Sequence, residues 1–337
     1  MYFWRVLAAM IKPKNWGLLL YVLASMGLAF GLGFGVVGLF VGGYEINHAA
    51  GIGGVLDMKL FVGLMMVAAN FVLSILLASD LGELFYRILL FNKALVRYNP
   101  KKQNYEEYEN IYSIFQRVHE RAREKSKLIP KNVRLYICHD GDANACIIGV
   151  RTLVIHDGLL DLSDEQIEGI IAHEFGHIAN SDAVLPMCKI SANSILTISV
   201  GIIIGFLKLA AFISLFTEDS DRAAARIFGF IMKWLFAVII SWILKLALQI
   251  WFSIGFLFEM IASRKQEYAA DKFAYKIGYG EGLADALHSL DGSIKRRTNI
   301  FDGMTRTHPY TMDRVDKLNE LIKNEGSSTF ARPEHVI

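Results

Sequence analysis

Charged, mixed and purely apolar stretches alternate along this chain in long blocks. No charged residue occurs from Asn15 to Tyr44 or from Leu60 to Ser79. Each run reaches the roughly 20 residues that carry a helix across a bilayer core, so residues 1–82 are expected to form a transmembrane hairpin. The first run is too long for the core of a cleaved signal peptide. It carries Gly27, Gly31 and Gly35 at four-residue steps, a small-residue face against which another helix can pack closely.

From residue 83 the pattern becomes that of a soluble fold. Asn104 to Lys127 places Ile111, Phe115, Val118 and Ala122 on one face, which predicts an amphipathic helix. "VRLYICHD" (133–140) and "NACIIGVRTLVIHDG" (144–158) read as strands, the second as a hairpin turning near Gly149. Ser163 followed by Gln166 forms a capping box, so a helix begins there with Ile171, Phe175 and Ile178 as its buried stripe. Apolar sequence returns from Ile190 to Leu207, is interrupted by Lys208, and runs again from Ile227 to Met260 apart from Lys233, Lys245 and Glu259. Lys208 and Lys233 are near enough to an outer face to snorkel. Lys245 is accommodated if the helix leaves the membrane near it and runs on into the next domain. "SRKQEYAADKFAYKIG" predicts a helix closed by Gly278, and a last helix is expected from Tyr310 to Lys323.

Composition agrees with the pattern. Hydrophobic residues make up 53% and charged residues only 20%, against about 25% charged in soluble domains. The net charge of +2 matters less than its placement. Arg5, Lys12 and Lys14 precede the first span, and Arg87, Lys93, Arg97, Lys101 and Lys102 follow the second. By the positive-inside rule both flanks are cytoplasmic. That reading of the basic residues leaves no call for nucleic acid as a partner. Cys138, Cys146 and Cys188 are an odd set without CxxC spacing, which offers no disulfide framework.

The chemistry lies in "HEFGH", residues 173–177. On a helix, His173 and His177 are one turn apart and can both face one tetrahedral zinc ion. Glu174, about 100° further round, flanks the metal and can take a proton from its water. A third ligand is needed from a separate element. "QEYAAD" offers Glu267, with Asp271 one turn later as a hydrogen-bond acceptor for a ligating imidazole. By spacing alone, the two acids could equally be a solvated face beside Lys265 and Lys272.

"HEFGHIANSDAV" resembles the zinc motif of the HtpX-like membrane metalloproteases, which share a wider family with the CAAX prenyl endopeptidases. "SRKQEYAAD" is similar to that family's second motif, "NACIIG" to its Asn-Ala-x-x-x-Gly strand, and "THPYTMDR" (307–314) to its C-terminal His-Pro…Arg element. The resemblance spans residues 144–314. It implies one Zn2+ per chain held by His173, His177 and Glu267, with Asp271 in support and Glu174 as general base. His308 and Arg314 become candidates for the oxyanion, and Asn144, Ala145 and Gly149 for a substrate-aligning strand. It further implies a multi-pass protease of the cytoplasmic membrane in membrane-protein quality control and stress response, its catalytic domain cytoplasmic, acting on membrane proteins or peptides within reach of the lipid bilayer.

The expected fold class is therefore a mainly α membrane protein: a four-helix transmembrane bundle with a cytoplasmic α+β zinc-metalloprotease domain built on the HExxH helix and a small sheet. The expected divisions are 1–82 as the first hairpin, 83–183 as the first catalytic part, 184–262 as the second hairpin, 263–325 as the second catalytic part and 326–337 as a flexible tail. An intramembrane site-2-type protease would need HExxH inside an apolar span. A prenyl-peptide endopeptidase needs a larger chamber than four spans enclose. A non-catalytic zinc scaffold would have no use for Glu174, and a channel would need more polar residues within the spans than Asn70 and Lys245.

Overall fold

The structure, a computed structural model, describes residues 12–45, 52–77, 79, 81–84, 88, 95–97, 108–217, 223–294 and 311–325. His308 and the 326–337 tail lie outside the described residues. In chain order the elements are α1 (Trp16–Glu45), α2 (Ile52–Leu77), β1 (Leu95–Arg97), α3 (Glu109–Lys125), β2 (Arg134–Cys138), β3 (Ala145–Ile148), β4 (Thr152–His156), α4 (Asp164–Asn180), α5 (Val184–Thr217), α6 (Ala223–Lys276), α7 (Gly280–Ile294) and α8 (Thr311–Glu325). They group into two compact units. One is drawn from Met1–Trp16, Leu76–Pro186 and Met260–Ile337, the other from Gly17–Ile75 and Met187–Glu259.

The second of these units is helical throughout its described residues. Four stretches, Pro13–Gly33, Leu60–Leu77, Val184–Phe216 and Ala223–Lys276, are long and apolar enough to cross a bilayer. Phe61, Phe216, Phe228, Trp242 and Leu257 are exposed, a surface no soluble protein would present to water. Polar side chains turn inward and clasp neighbouring helices. Tyr21 stacks on Trp251 with ring centroids 5.1 Å apart, and its hydroxyl donates to Asn193 Oδ1 at 2.8 Å. Trp251 Nε1 donates to Ser25 Oγ at 2.9 Å, and Ser191 Oγ donates to the Asn70 carbonyl at 2.9 Å. With no water to compete, such bonds hold apolar helices in register. Lys189 of α5 pairs with Glu259 of α6.

One expectation meets a correction here. The glycine face is not the one that packs: a Cβ at Gly27 or Gly31 would have nothing within 4 Å, whereas one at Gly33 would meet Met66 and Val62 of α2. Gly33 lies two positions beyond Gly31, about 200° around the helix, so α1 turns the other side to its neighbour. The apolar segment around Lys245, by contrast, runs on as a helix past that residue, as expected. It belongs to one unbroken 54-residue helix, about 80 Å long against a bilayer core of about 30 Å.

The other unit holds a four-stranded sheet in the order β1-β2-β4-β3. β3 and β4 form the hairpin expected at Gly149, whose φ is +64°. β2 pairs with β4 in parallel and with β1 antiparallel, leaving β3 on an edge. Every position of β4 is buried. α3 buries Ile111, Phe115, Val118 and Ala122 as its period requires. α4 starts with the reciprocal box: the Gln166 N–H donates to Ser163 Oγ, and the Ser163 N–H donates to Gln166 Oε1 at 3.0 Å. One apolar core joins α3, the sheet, α4, the C-terminal end of α6, α7 and α8.

Candidate metal centre

The helix opened by that capping box carries His173, Glu174 and His177 into the interior, where His173 and Glu174 are buried. The facing element is the C-terminal stretch of α6, and Gly176 lets it come close. A Cβ at Gly176 would sit 2.7 Å from Ala270 Cα and 2.9 Å from its carbonyl oxygen, so no larger residue fits between the two histidines and α6. Ala270 lies between Glu267 and Asp271, and this contact brings both acids to the imidazoles.

Three donor atoms converge. His173 Nε2 and His177 Nε2 are 3.1 Å apart. Glu267 places Oε2 at 3.4 Å from the first and Oε1 at 3.5 Å from the second. Bonds of 2.0–2.1 Å to a tetrahedral zinc imply ligand–ligand edges of about 3.3–3.4 Å. The three distances, two of them to different oxygens of Glu267, lie close to that value, and the donor set, two imidazole nitrogens and a carboxylate, is one zinc accepts. The residues fit the metal.

Each ligand histidine is oriented from behind. His173 Nδ1 lies 2.8 Å from Asp271 Oδ1, and His177 Nδ1 lies 3.1 Å from Asp182 Oδ2. A carboxylate at Nδ1 favours the ring proton there and turns the Nε2 lone pair towards the cluster, as a metal ligand would need. Sequence reasoning named Asp271 and missed Asp182. Asp182 reaches back because Ser181 ends α4 in the left-handed region, with φ +58°, and the Asp182 N–H donates to the His177 carbonyl at 3.1 Å. Lys14 Nζ closes the chain at 2.7 Å from Asp182 Oδ1. The only signal for it was an acid placed just past the end of the motif helix.

Arg314 of α8 is 2% exposed and engages two acids at once. Its Nε and Nη2 donate to the two oxygens of Asp271 at 2.9 and 2.7 Å, and its Nη1 lies 2.9 Å from Glu267 Oε2. Burial by itself would ease its proton off; the hydrogen bonds and charge of Asp271, with the charges of Glu267 and Glu174, outweigh this and push its pKa up. Asp271 is held below the usual carboxylate range in spite of burial, by hydrogen bonds from His173 and Arg314. For His177 burial opposes the charge, but Asp182, Glu267 and Glu174 raise the ring to about 10. The neighbouring acids thus favour a positive charge at His177.

β3 lies beside α4, and Asn144, Ala145 and Gly149 sit before, at the start of and just after this edge strand. The Cys146 thiol on β3 is pushed up to about 12, first by burial and then by the Glu174 charge, which puts the strand within electrostatic reach of Glu174.

Apolar bilayer-length helices and a buried His–His–Glu cluster define the class, a membrane metalloprotease. The matching family model, peptidase family M48, covers residues 108–322, and the chain belongs to that family. Within it the chain is HtpX-like. It is 27% identical over 272 residues to a protease HtpX homolog of Campylobacter curvus, covering 72% of this chain and 85% of the relative. It is 24% identical over 254 residues to a protease HtpX homolog of Pyrococcus abyssi, covering 68% and 79%.

Proposed function

We propose that this protein is a zinc endopeptidase that cleaves damaged or misfolded membrane proteins at the cytoplasmic face of the membrane. The observation that carries the reading is the convergence of His173, His177 and Glu267 at zinc-like spacings, with Glu174 buried on the helix of the two histidines. When bound, the metal supplies Lewis acidity: it makes water acidic enough to attack near neutral pH and polarises a peptide carbonyl. Glu174 accepts the proton of the attacking water and returns it to the departing amine nitrogen, so no covalent enzyme intermediate forms. Asp271 and Asp182 hold the imidazole rings in the ligating tautomer. Arg314, with its donors turned on Asp271 and Glu267, works through those acids and keeps Glu267 aimed at the histidines. Oxyanion stabilisation then falls to His308, by its place in the motif. The Asn144–Gly149 strand aligns the substrate backbone by β-addition along its free edge.

In this reading residues 83–183 and 263–325 are the catalytic portion, and 184–262 is a membrane hairpin inserted between the two halves of the metal site. The basic residues flanking the first hairpin support the cytoplasmic assignment. The test is Glu174→Gln in detergent-purified full-length protein. One zinc per chain should be retained while cleavage of an unfolded reporter falls by at least about 10²-fold. Cleavage at the wild-type rate would remove Glu174 as general base, and a zinc-loaded wild type that cleaves nothing would favour a non-catalytic zinc scaffold.

A further inference from the structure

A second group of metal-ligating side chains lies on the sheet, away from HEFGH. β2 and β4 run parallel and in register, so that Cys138 pairs with His156 at the C-terminal ends of both strands. The two side chains leave the sheet side by side, and both are buried. The turn after β2 brings Asp140 back over them. Asp140 Oδ2 lies 2.8 Å and Oδ1 2.9 Å from His156 Nδ1, and Cys138 Sγ donates to Oδ2 at 3.3 Å. The turn is fixed by its own backbone bonds, from the Asp142 N–H to Asp140 Oδ1 at 3.1 Å and from the Gly141 N–H to Asp157 Oδ1 at 2.7 Å. One donor atom from each of Cys138, Asp140 and His156 falls within 4.8 Å of the others.

We propose that Cys138, Asp140 and His156 form a second metal site, for a borderline-soft divalent cation of the zinc class, separate from the protease centre. A thiol is a weak hydrogen-bond donor, but as thiolate it joins imidazole and carboxylate in the mixed donor set that zinc prefers. Bonds of about 2.3 Å to sulfur and 2.0–2.2 Å to nitrogen and oxygen need edges of about 3.3–3.6 Å. The sulfur–oxygen edge is close to this, and the nitrogen–oxygen edge must open by about half an ångström. Asp140 is the member that gives, because its turn is exposed while the two strand residues are not. Its exposure also opens the site to solvent, which supplies a path of entry and a fourth ligand.

The charge balance closes. On binding, the Cys138 S–H bond breaks and its proton passes to bulk water. His156 binds through Nδ1, so a ring proton held there passes to Nε2, and Asp140 stays ionised. One proton leaves per cation bound. Burial first, then Asp140, with Asp157 and Asp142 adding to it, push the thiol up to about 12; of these causes the three acids favour a cation at this place, and burial does not.

Thiolate ligation separates this site from His173–His177–Glu267, which has no sulfur. Full-length protein carrying Glu174→Gln, to prevent self-cleavage, is stripped with chelator and titrated with Co2+. Two equivalents should bind, one of them with the near-ultraviolet charge-transfer band of a cobalt–thiolate bond. Cys138→Ser and His156→Gln should each lose that band and one equivalent. Asp140→Asn, on the exposed turn, should weaken the sulfur-ligated equivalent at least tenfold and leave the other unchanged. His173→Ala should remove the equivalent without the band. A single equivalent with no band would overturn the proposal, as would a band that survives Cys138→Ser and disappears in Cys146→Ser. Should Cys138→Ser fail to fold, a Cys146→Ser, Cys188→Ser protein that keeps Cys138 as its one thiol decides the matter: the cobalt–thiolate band retained supports the site, and the band lost sinks it.

Discussion

Asp182 lies 3.1 Å from His177 Nδ1, one residue past the turn that ends the motif helix, and performs for the second ligand histidine what Asp271 performs for the first. Supporting carboxylates of this kind raise ligand basicity, and their loss costs roughly 10–100-fold in metal affinity. Asp182→Asn should show that loss in competition with a zinc chelator, while cleavage at saturating zinc stays within a few-fold of wild type. An unchanged affinity would mean that the ring orients without it.

Gly176→Ala tests the close approach of α4 and α6. The added methyl would lie 2.7 Å from Ala270 Cα, and backbone must move to admit it. Overpacking of this kind costs about 1–3 kcal/mol. The same displacement pulls Glu267 from the imidazoles, so zinc content should drop below one per chain with the melting temperature. Full zinc occupancy and normal stability would show that the helices part without disturbing the site.

Arg314→Met leaves Glu267 and Asp271 as buried acids without their counter-charge. Removing one partner from a buried network costs about 3–5 kcal/mol. The loss should be largest in chelator and smaller with zinc, since a cation restores part of the missing charge. Thermal melts of wild type and variant, each with and without metal, give the four values. A metal-independent loss would assign Arg314 to α8 packing alone.

The pH dependence of stability should carry a signature from His119. Its Nε2 lies 2.8 Å from the Pro130 carbonyl, and its ring stacks on both Phe115 and Phe175. Burial is the main cause that holds its pKa below 6.5, and the Pro130 bond only partly opposes it. On acidification the unfolded chain takes up a proton near pH 6.5 while the native ring stays neutral to lower pH. Stability should therefore be full above about pH 6.5 and fall as pH drops towards the folded pKa. In melts from pH 7 to 5, His119→Gln should flatten the decline. Parallel curves for the two proteins would place its source elsewhere.

What could be read from the chain was what local rules encode. The Ser163–Gln166 box announced α4, the period of Ile111, Phe115, Val118 and Ala122 announced α3, and Gly149 announced its turn. The helical spacing of His173 and His177 announced two of the three converging donors. The remainder depends on contacts between distant segments. β1 was missed because three residues carry no alternation, and the parallel pairing of β2 with β4 because a fully buried strand has no polar face to set its neighbours. Asp182 was invisible because a serine, not a glycine, makes the left-handed turn that sends it back. Arg314 was legible as a residue of interest but not in its contacts, since its two acids come from another helix.

The grip of Arg314 on Glu267 and Asp271 makes the final helix a strut of the reaction centre. A cut between α7 and α8 that let the last helix drift away would leave intact every residue of the HEFGH helix. It would nonetheless strip two interior acids of their counter-ion. A molecule that lost this end would keep its motif whole and lose the charge balance behind it.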